Sequence, residues 1–299
     1  MGRLIVIANQ KGGVGKTTTA INLAVALTQT NQATQTLPIL LIDLDPQGNA
    51  TSGLTPPVEL GGIKASGKTI YEAIVGRIQI TDAIRKIRES IFLLPSGSNL
   101  VGAEVELAAV EGRERRLKEM LAPLRVQYSF VLIDTPPSLG LLTLNAMVAA
   151  DSILVPMQCE YYALEGLSAL LGTISRVRKV LNPELQIDGI VLTMFDARNR
   201  LSHEIAREVN HHFPDKLFQS VIPRNVRLSE SPSHGLSVIE YDSKSAGAEA
   251  YRSLAEEVAQ RASGVPVAPP AELSAEQTRK SWNLRALFSR NSERVRRSG

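Results

Sequence analysis

The sequence predicts a doubly wound α/β fold, with a mostly parallel sheet and helices on both faces. Short apolar runs rich in β-branched residues alternate with longer segments in which apolar residues recur every three or four positions. Strands that are apolar throughout, rather than alternating, are typical of a parallel sheet buried on both faces. A length of 299 residues, with 43% hydrophobic and 21% charged residues, favours one large globular domain.

The apolar runs and the helical patterns follow one another along the chain. The predicted strands are Leu4 to Ala8, Ile39 to Leu44, Ile91 to Pro95, Phe130 to Asp134, Ser152 to Pro156 and Ile187 to Met194. The predicted helices are Thr17 to Gln29, Tyr162 to Val180, Ser202 to His212 and Ala246 to Ala262. Two stretches rich in Gln, Thr, Pro or Gly, Thr30 to Pro38 and Thr55 to Lys68, are predicted to be exposed loops.

The domain is predicted to occupy residues 1–263. Residues 264–270 contain three prolines that cannot continue a helix, so we expect a linker there. The tail that follows, to residue 299, is expected to be disordered and carries the net positive charge: seven basic residues against three acidic ones from residue 264 onward, in a chain of net charge +3. The single cysteine, Cys159, excludes an intrachain disulfide, and no signal-peptide pattern opens the chain. A cytoplasmic location is therefore expected.

A glycine-rich segment stands between the first strand and the first helix. Its residues are Gly12-Gly13-Val14-Gly15-Lys16-Thr17-Thr18. Glycines let consecutive backbone N–H groups face one concavity, and the helix N-terminus adds unsatisfied donors and partial positive charge. This arrangement predicts a site for the phosphates of ATP, in which Lys16 bridges the β- and γ-phosphates and Thr17 is a ligand of Mg²⁺.

The usual phosphate-loop pattern has a glycine where this chain has Gln10. The next residue, Lys11, places a second lysine directly before the glycines. Such a cation can meet the negative charge that develops during transfer of the γ-phosphoryl group. Spacing alone leaves open whether Lys11 acts in its own subunit or in a partner.

Three aspartates stand at the ends of predicted strands. Asp43 and Asp45 end the second strand two residues apart, and Asp134 ends the fourth. A carboxylate at such a strand end can bind Mg²⁺ or orient a water molecule, and we predict Asp43 and Asp134 near the metal and Asp45 near the water. Alternatively, one of the first pair caps the following turn.

These motifs resemble those of the ParA/Soj chromosome-partitioning ATPases, within the MinD/Mrp group of deviant P-loop proteins. The resemblance covers Leu4 to Ala262. It depends on the glycine-rich segment with Lys11 and on four further stretches: Asp43 to Thr51, Asp134 to Pro137, Thr193 to Arg198 and Ile222 to Glu230.

The resemblance implies a homodimer that closes on two ATP molecules with Mg²⁺. Lys11 would then cross to the partner's nucleotide, Gly12 would permit close approach of the subunits, and Asp45 would be the switch aspartate needed for hydrolysis. The adenine base would lie near Met194 and the Pro223-Arg224-Asn225 stretch.

The resemblance also implies binding to double-stranded DNA without sequence preference. Arg198 and Arg227 match the DNA-contacting positions of the family, with Arg224 nearby. Guanidinium groups on loops can reach phosphates, and two subunits double the charge offered to one duplex. Hydrolysis stimulated by a ParB-type centromere-binding partner would release the dimer from the nucleoid, in chromosome or plasmid partitioning.

The same residues also bear on three other functions. One cysteine excludes the iron–sulfur cluster of the nitrogenase-reductase relatives, whose subunits each supply two. Small-molecule ligases of the superfamily stay possible, although no substrate-binding domain is evident. A MinD-like membrane-cycling ATPase is the main alternative, because Trp282 to Phe288 could form a short basic amphipathic helix. A tail that reinforces DNA binding needs fewer assumptions.

Overall fold

The computed structural model describes residues 2–30 and 37–264, apart from the side chain of Lys64. Most of the predicted loop from Thr30 to Pro38 lies outside these ranges. The basic tail, with the Trp282 to Phe288 segment and its alternative functions, also lies outside them.

The described residues form one eight-stranded sheet in the order β3-β4-β2-β5-β1-β6-β7-β8. Seven strands run parallel, and β3 pairs antiparallel with β4 at one edge. The predicted fold class is confirmed. The strands are β1 (Arg3–Ile7), β2 (Ile39–Asp43), β3 (Arg85–Arg88), β4 (Ile91–Leu94), β5 (Phe130–Asp134), β6 (Ser152–Gln158), β7 (Gln186–Phe195) and β8 (Leu217–Pro223).

The central strands are buried on both faces, which explains their unbroken apolar composition. Alternate residues of β1 point to opposite sides of the sheet. Leu4 and Val6 belong to one hydrophobic core, whereas Ile5 and Ile7 belong to the other. Two separate cores, one on each face, therefore hold the helical layers.

Thirteen α-helices are present in the described ranges. They are α1 (Lys16–Leu27), α2 (Asn49–Leu54), α3 (Pro57–Ala65), α4 (Ile70–Ile74), α5 (Ile80–Ala83), α6 (Val101–Glu106), α7 (Arg116–Leu121), α8 (Leu141–Ala149), α9 (Ala163–Val180), α10 (Arg200–His212), α11 (Val226–Glu230), α12 (Val238–Tyr241) and α13 (Ala246–Ala262). None of the described helices is long and apolar enough to cross a membrane.

Helices α1 and α13 cover one face of the sheet, and two buried polar contacts join α1 to the C-terminal part of the domain. The hydroxyl groups of Thr19 and Tyr251 lie 3.2 Å apart and are hydrogen-bonded. The side chain of Asn22 accepts a hydrogen bond of 2.7 Å from the N–H of Val238, at the start of α12. The helix that follows the glycine-rich segment is therefore fixed by residues more than two hundred positions away.

Eight helices of nine residues or fewer (α2, α4 to α8, α11 and α12) were not predicted, and three further elements differ from the sequence prediction. The stretch from Thr55 to Lys68 was predicted to be a loop but contains α3, which begins at Pro57, where proline favours the first turn of a helix. Strand β3 was missed because it is a charged edge strand, and β8 because Gln219 and Ser220 interrupt its apolar pattern. The carboxylate of Glu257, on α13, accepts hydrogen bonds from the backbone N–H groups of both residues.

Candidate functional site

The site lies where three neighbouring parallel strands end. In the register of the sheet, Asp134 of β5 stands beside Ile7 of β1 on one side and Asp43 of β2 on the other. The glycine-rich segment leaves β1 directly after Ile7 and leads into α1. The structure thus brings together the phosphate loop and two of the predicted acidic residues, which are separated by about 90 positions in sequence.

The phosphate loop, residues 9–16, has the backbone that its glycines predict. Gly13 and Gly15 have φ angles of 75° and 85°, in the left-handed region that glycine adopts without strain. A side chain at Gly13 would meet no atom within 4 Å, so the concavity beside it is open. Val14 is buried and anchors the middle of the loop, while Gly12 and Gly13 are exposed.

Two side chains that sequence reasoning missed as site residues hold the loop in place. The Thr193 hydroxyl, on β7, donates a 2.8 Å hydrogen bond to the carbonyl of Val14. The amide nitrogen of Asn9 donates a 2.7 Å hydrogen bond to the carbonyl of Pro156 on β6, and its amide oxygen accepts a hydrogen bond from the N–H of Lys11. Because these pairs join distant strands, their spacing in sequence carries no local signal.

Lys16 is buried beneath the loop, with 6% of its surface exposed. Its ammonium group donates a 3.1 Å hydrogen bond to the carbonyl of Lys11. Burial lowers the pKa of Lys16, against the opposing effects of the Asp134 and Asp45 charges. The lysine predicted to bind phosphate is therefore poorly solvated and held by one weak acceptor, so an incoming anion would gain a strong partner.

Lys11 points differently from Lys16. Its side chain is 39% exposed and forms an ion pair with Glu160, on the segment between β6 and α9. The ammonium group is thus placed at the lip of the phosphate loop and not beneath it. Glu160 was not predicted as a site residue.

Asp134 is fully buried at the end of β5. Neither carboxylate oxygen has a well-formed hydrogen bond to the described residues. Burial raises the pKa of Asp134 well above its usual range, and the negative charge of neighbouring Asp43 raises it further. The nearby Thr17 hydroxyl offsets only part of this increase in pKa. A buried carboxylate whose two oxygens both lack partners, next to a threonine hydroxyl, fits a hard divalent cation such as Mg²⁺, which prefers oxygen ligands.

Asp43 has a different environment from Asp134. One of its oxygens accepts hydrogen bonds of 2.7 Å from both the N–H and the hydroxyl of Thr51, and the other accepts 3.2 Å from the N–H of Asp45. Burial still raises its pKa to about 6. These contacts show that Asp43 stabilises the turn after β2, as the alternative in the sequence analysis foresaw, and its place near the metal stays a prediction.

Asp45 lies at the entrance to the same turn and is 7% exposed. One oxygen of its carboxylate accepts a 2.9 Å hydrogen bond from the N–H of Gln47. The backbone carbonyl of Asp45 accepts a 2.7 Å hydrogen bond from the hydroxyl of Ser96. Its charge acts on both Lys16 and Asp134, which places it beside the predicted phosphate site. The position suits the predicted role in orienting water, and that role stays a prediction.

The residues predicted to hold the adenine base meet at the ends of β7 and β8. Met194 has a φ angle of 49°, a strained conformation for a non-glycine residue, and its terminal methyl group lies near Gly15. The N–H of Arg224, just after Pro223, donates to the carbonyl of Phe195. The Asn225 side chain caps α11, and Met194 and Arg224 line a cavity of about 520 Å³. Their contact with a base stays a prediction.

The predicted DNA-binding arginines lie at the same edge of the sheet, after β7 and β8. Arg198 is 91% exposed and contacts both oxygens of Asp196 through two nitrogens, each at 3.1 Å. Arg198 is the main cause that lowers the pKa of Asp196 to about 2. Arg227 pairs with Glu230 at 2.9 Å and Asp242 at 3.2 Å. The three arginines are exposed, as predicted. Their carboxylate partners were not predicted.

Comparison with known proteins gives one family match and close relatives. The family model described as "AAA domain" matches residues 2–187. The chromosome partitioning protein ParA of Myxococcus xanthus is 50% identical over 264 residues, covering 87% of this chain and 89% of that protein. The sporulation initiation inhibitor protein Soj of Bacillus subtilis is 49% identical over 260 residues, covering 87% and 99%.

Solved structures share the fold. A cobyrinic acid a,c-diamide synthase from Mycobacterium smegmatis with bound ADP and magnesium has a TM-score of 0.74 at 36% identity, over 92% of this chain and all of that one. A putative plasmid partition protein from Borrelia burgdorferi bound to AMPPNP has a TM-score of 0.73 at 27% identity, and the match covers 87% of this chain and 100% of that one. The cell division ATPase MinD of Pyrococcus furiosus has a TM-score of 0.70 at 27% identity, and the match again covers 87% of this chain and 100% of that one.

Proposed function

This chain belongs to the ParA/Soj family of chromosome-partitioning ATPases, and on that basis we propose that it works as an ATP-switched dimer. In this proposal ATP and Mg²⁺ join two subunits, and the dimer binds double-stranded DNA without sequence preference. The relatives at about 50% identity are partitioning proteins, whereas the synthase is 36% identical, so partitioning is favoured over ligase chemistry.

The observation that carries the proposal is the contrast between the two lysines of the phosphate loop. Lys16 is buried beneath the loop, which supports its proposed contact with the phosphates of its own subunit's ATP. Lys11 stands at the lip with its side chain 39% exposed, on a backbone fixed by Asn9. A cation so placed can serve a second nucleotide brought by a facing subunit, and the exposed Gly12 leaves room for that approach.

Hydrolysis is assigned to residues around the loop. Mg²⁺, when bound by Thr17 and Asp134, would neutralise charge on the β- and γ-phosphates. Lys16 and the loop N–H groups would position the γ-phosphate, and Asp45 would orient the attacking water. Lys11 of the facing subunit would stabilise the charge that develops in the transition state. The adenine base would lie against Met194 and the Pro223 to Asn225 stretch.

DNA binding is assigned to Arg198, Arg224 and Arg227. In a single chain, Arg198 and Arg227 are each paired with carboxylates, so one subunit presents little unneutralised charge. Two subunits side by side would place the patches along one duplex, where phosphates can replace Asp196 and Glu230 as partners. This supports affinity that depends on the dimer.

The partner and the place of action come from the family. We propose that a ParB-type centromere-binding protein stimulates hydrolysis, and that release of the dimer from the nucleoid drives partitioning of a chromosome or a plasmid. The curated relatives named ParA and Soj support the role.

The proposal can be tested by titrating a nonspecific duplex with the full-length protein, with ATP, with ADP and without nucleotide. Wild type is compared with Arg198→Glu and Arg227→Glu, and Arg178→Glu, at an exposed position in the last turn of α9, serves as the matched control. We expect binding only with ATP, about a tenfold or greater loss for the first two variants, and affinity that falls steeply between 50 and about 200 mM salt. Equal binding with ATP and without nucleotide would contradict the switch.

A further inference from the structure

We propose that Glu160 is a positioning residue that holds Lys11 within its own subunit until two ATP-bound subunits meet. The ion pair between them is therefore a latch that sets the protein concentration at which the dimer forms. The inference rests on the proposed function, in which Lys11 crosses to the partner's nucleotide.

Glu160 is held in a defined position beside the loop. It follows the end of β6, and its N–H donates 2.9 Å to the carbonyl of Gln158. Its own carbonyl accepts 2.9 Å from the N–H of Ala163, the first residue of α9. Both backbone groups are thus fixed by a tight turn, and the carboxylate extends from it to the ammonium group of Lys11.

The Lys11 backbone is fixed as well. Asn9 accepts from the Lys11 N–H at 3.0 Å and donates to Pro156 on β6 at 2.7 Å, which ties the loop to the strand that leads to Glu160. Only the Lys11 side chain is therefore left to move. In the latched position it contacts Glu160, and in the proposed dimer it must leave that carboxylate to reach a phosphate.

A second contact links the latch to the nucleotide site. The ammonium group of Lys16 donates to the carbonyl of Lys11 at 3.1 Å. Phosphates that recruit Lys16 would remove this hydrogen bond from the residue that carries the latch. ATP binding in the same subunit would thus take this donor from the Lys11 carbonyl, while Asn9 still holds the Lys11 N–H and the Glu160 ion pair still holds the side chain.

The size of the effect follows from exposure. The side chains of Lys11 and Glu160 are 39% and 44% exposed, so water screens their attraction. Exposed ion pairs of this kind shift an equilibrium by about two- to fivefold. A symmetric dimer breaks two of them, so removal of the latch should tighten dimerisation by about 4- to 25-fold.

The test compares full-length wild type with Glu160→Gln and with Glu165→Gln, which removes the same charge from an exposed position on the first turn of α9. Analytical ultracentrifugation with Mg²⁺ and the slowly hydrolysed analogue ATPγS gives the dimer dissociation constant. We expect it to fall by about 4- to 25-fold for Glu160→Gln and to stay within about twofold for Glu165→Gln. Equal constants for the two variants, or weaker dimerisation of Glu160→Gln, would overturn the latch.

A second measurement reports on Lys11 itself. Limited acetylation of the nucleotide-free protein, read by peptide mass spectrometry, compares the reactivity of Lys11 with that of exposed Lys68 in the same sample. Release from Glu160 should raise the ratio about twofold or more in Glu160→Gln and leave it unchanged in Glu165→Gln. An unchanged ratio in Glu160→Gln would overturn the latch even if the dimer constant moved.

The two hypotheses fail in different ways. Wild type that stays monomeric with ATPγS at every concentration overturns the proposed dimer, and the latch with it. Wild type that forms a dimer with the same constant as both variants overturns the latch alone.

Discussion

The hydroxyl group of Thr51 joins three segments of the site, and its removal is expected to destabilise the domain in a pH-dependent way. It donates a 2.7 Å hydrogen bond to Asp43 and accepts one of 2.9 Å from the N–H of Ser96. Thr51 is 1% exposed. The substitution Thr51→Val keeps the shape of the side chain and deletes both hydrogen bonds, while the N–H of residue 51 still contacts Asp43.

The expected cost has two parts. The Ser96 N–H becomes a buried donor without its acceptor, which costs about 1–3 kcal/mol. Loss of a hydrogen bond to an ionised carboxylate costs about 1.5–3 kcal/mol. At pH 8, where Asp43 is ionised, Thr51→Val should therefore lower the free energy of unfolding by about 2.5–6 kcal/mol.

The second part disappears on acidification. The pKa of Asp43 is raised from 3.8 to about 6 in the fold, so protonation stabilises the folded state. This stabilisation is complete below about pH 4 and is lost as pH rises through 6. Removing a donor raises the folded pKa further. The difference between variant and wild type should shrink to about 1–3 kcal/mol at pH 5, where the carboxyl is largely neutral.

Urea unfolding of the nucleotide-free protein at pH 5 and pH 8, analysed by linear extrapolation, measures both values. Thr55→Val is the matched control, because Thr55 is fully buried and its hydroxyl oxygen has no hydrogen-bond partner among the described residues. The same change there should be neutral or stabilising. Equal costs at positions 51 and 55, or a Thr51→Val cost that grows towards pH 5, would refute the reasoning.

Three further predictions concern the backbone, the switch and the tail. Gly235→Ala should strongly destabilise the domain, because φ at Gly235 is 65° and a Cβ there would lie 2.2 Å from the Thr55 carbonyl oxygen. Gly67→Ala is the control, because φ is 59° there and a Cβ would meet no atom within 4 Å. It should lower the free energy of unfolding, measured by thermal unfolding, by only about 1–2 kcal/mol. Asp45→Ala should yield an ATP-loaded dimer that persists on DNA, and Lys16→Ala should abolish dimerisation; normal ATP turnover by Asp45→Ala contradicts the role. Truncation after residue 264 should leave the unfolding midpoint and ATPγS dimerisation unchanged, and binding of the intact chain to anionic vesicles that truncation removes would favour the membrane alternative.

The central part of the fold was predictable because each buried strand is recorded locally, as an unbroken apolar run. The meeting of the acidic strand ends was predictable for a second reason. The carboxyl ends of neighbouring parallel strands lie at one edge of a sheet, which brings Asp43 and Asp134 together. Strand β8 was not, because Gln219 and Ser220 look like loop residues until the carboxylate of Glu257 is present to accept their N–H groups.

The supporting contacts of the site could not be predicted, because they join residues far apart in the chain. Thr193 lies 179 positions from Val14, and Glu160 lies 149 from Lys11. The motif around Lys11 indicated a cation but not the carboxylate that holds it. The arginines were recognised by resemblance, and their pairing with Asp196, Glu230 and Asp242 emerged only from the structure.

The contact between Thr19 and Tyr251 has a consequence for the order in which the protein is made. The phosphate loop leaves the ribosome more than two hundred residues before α13, the helix whose Tyr251 contacts α1. During synthesis α1 lacks both Tyr251 and the Val238 N–H that Asn22 binds. We therefore expect a nascent chain to reach a settled nucleotide site only after α13 has emerged, so that shorter nascent chains do not enter dimers.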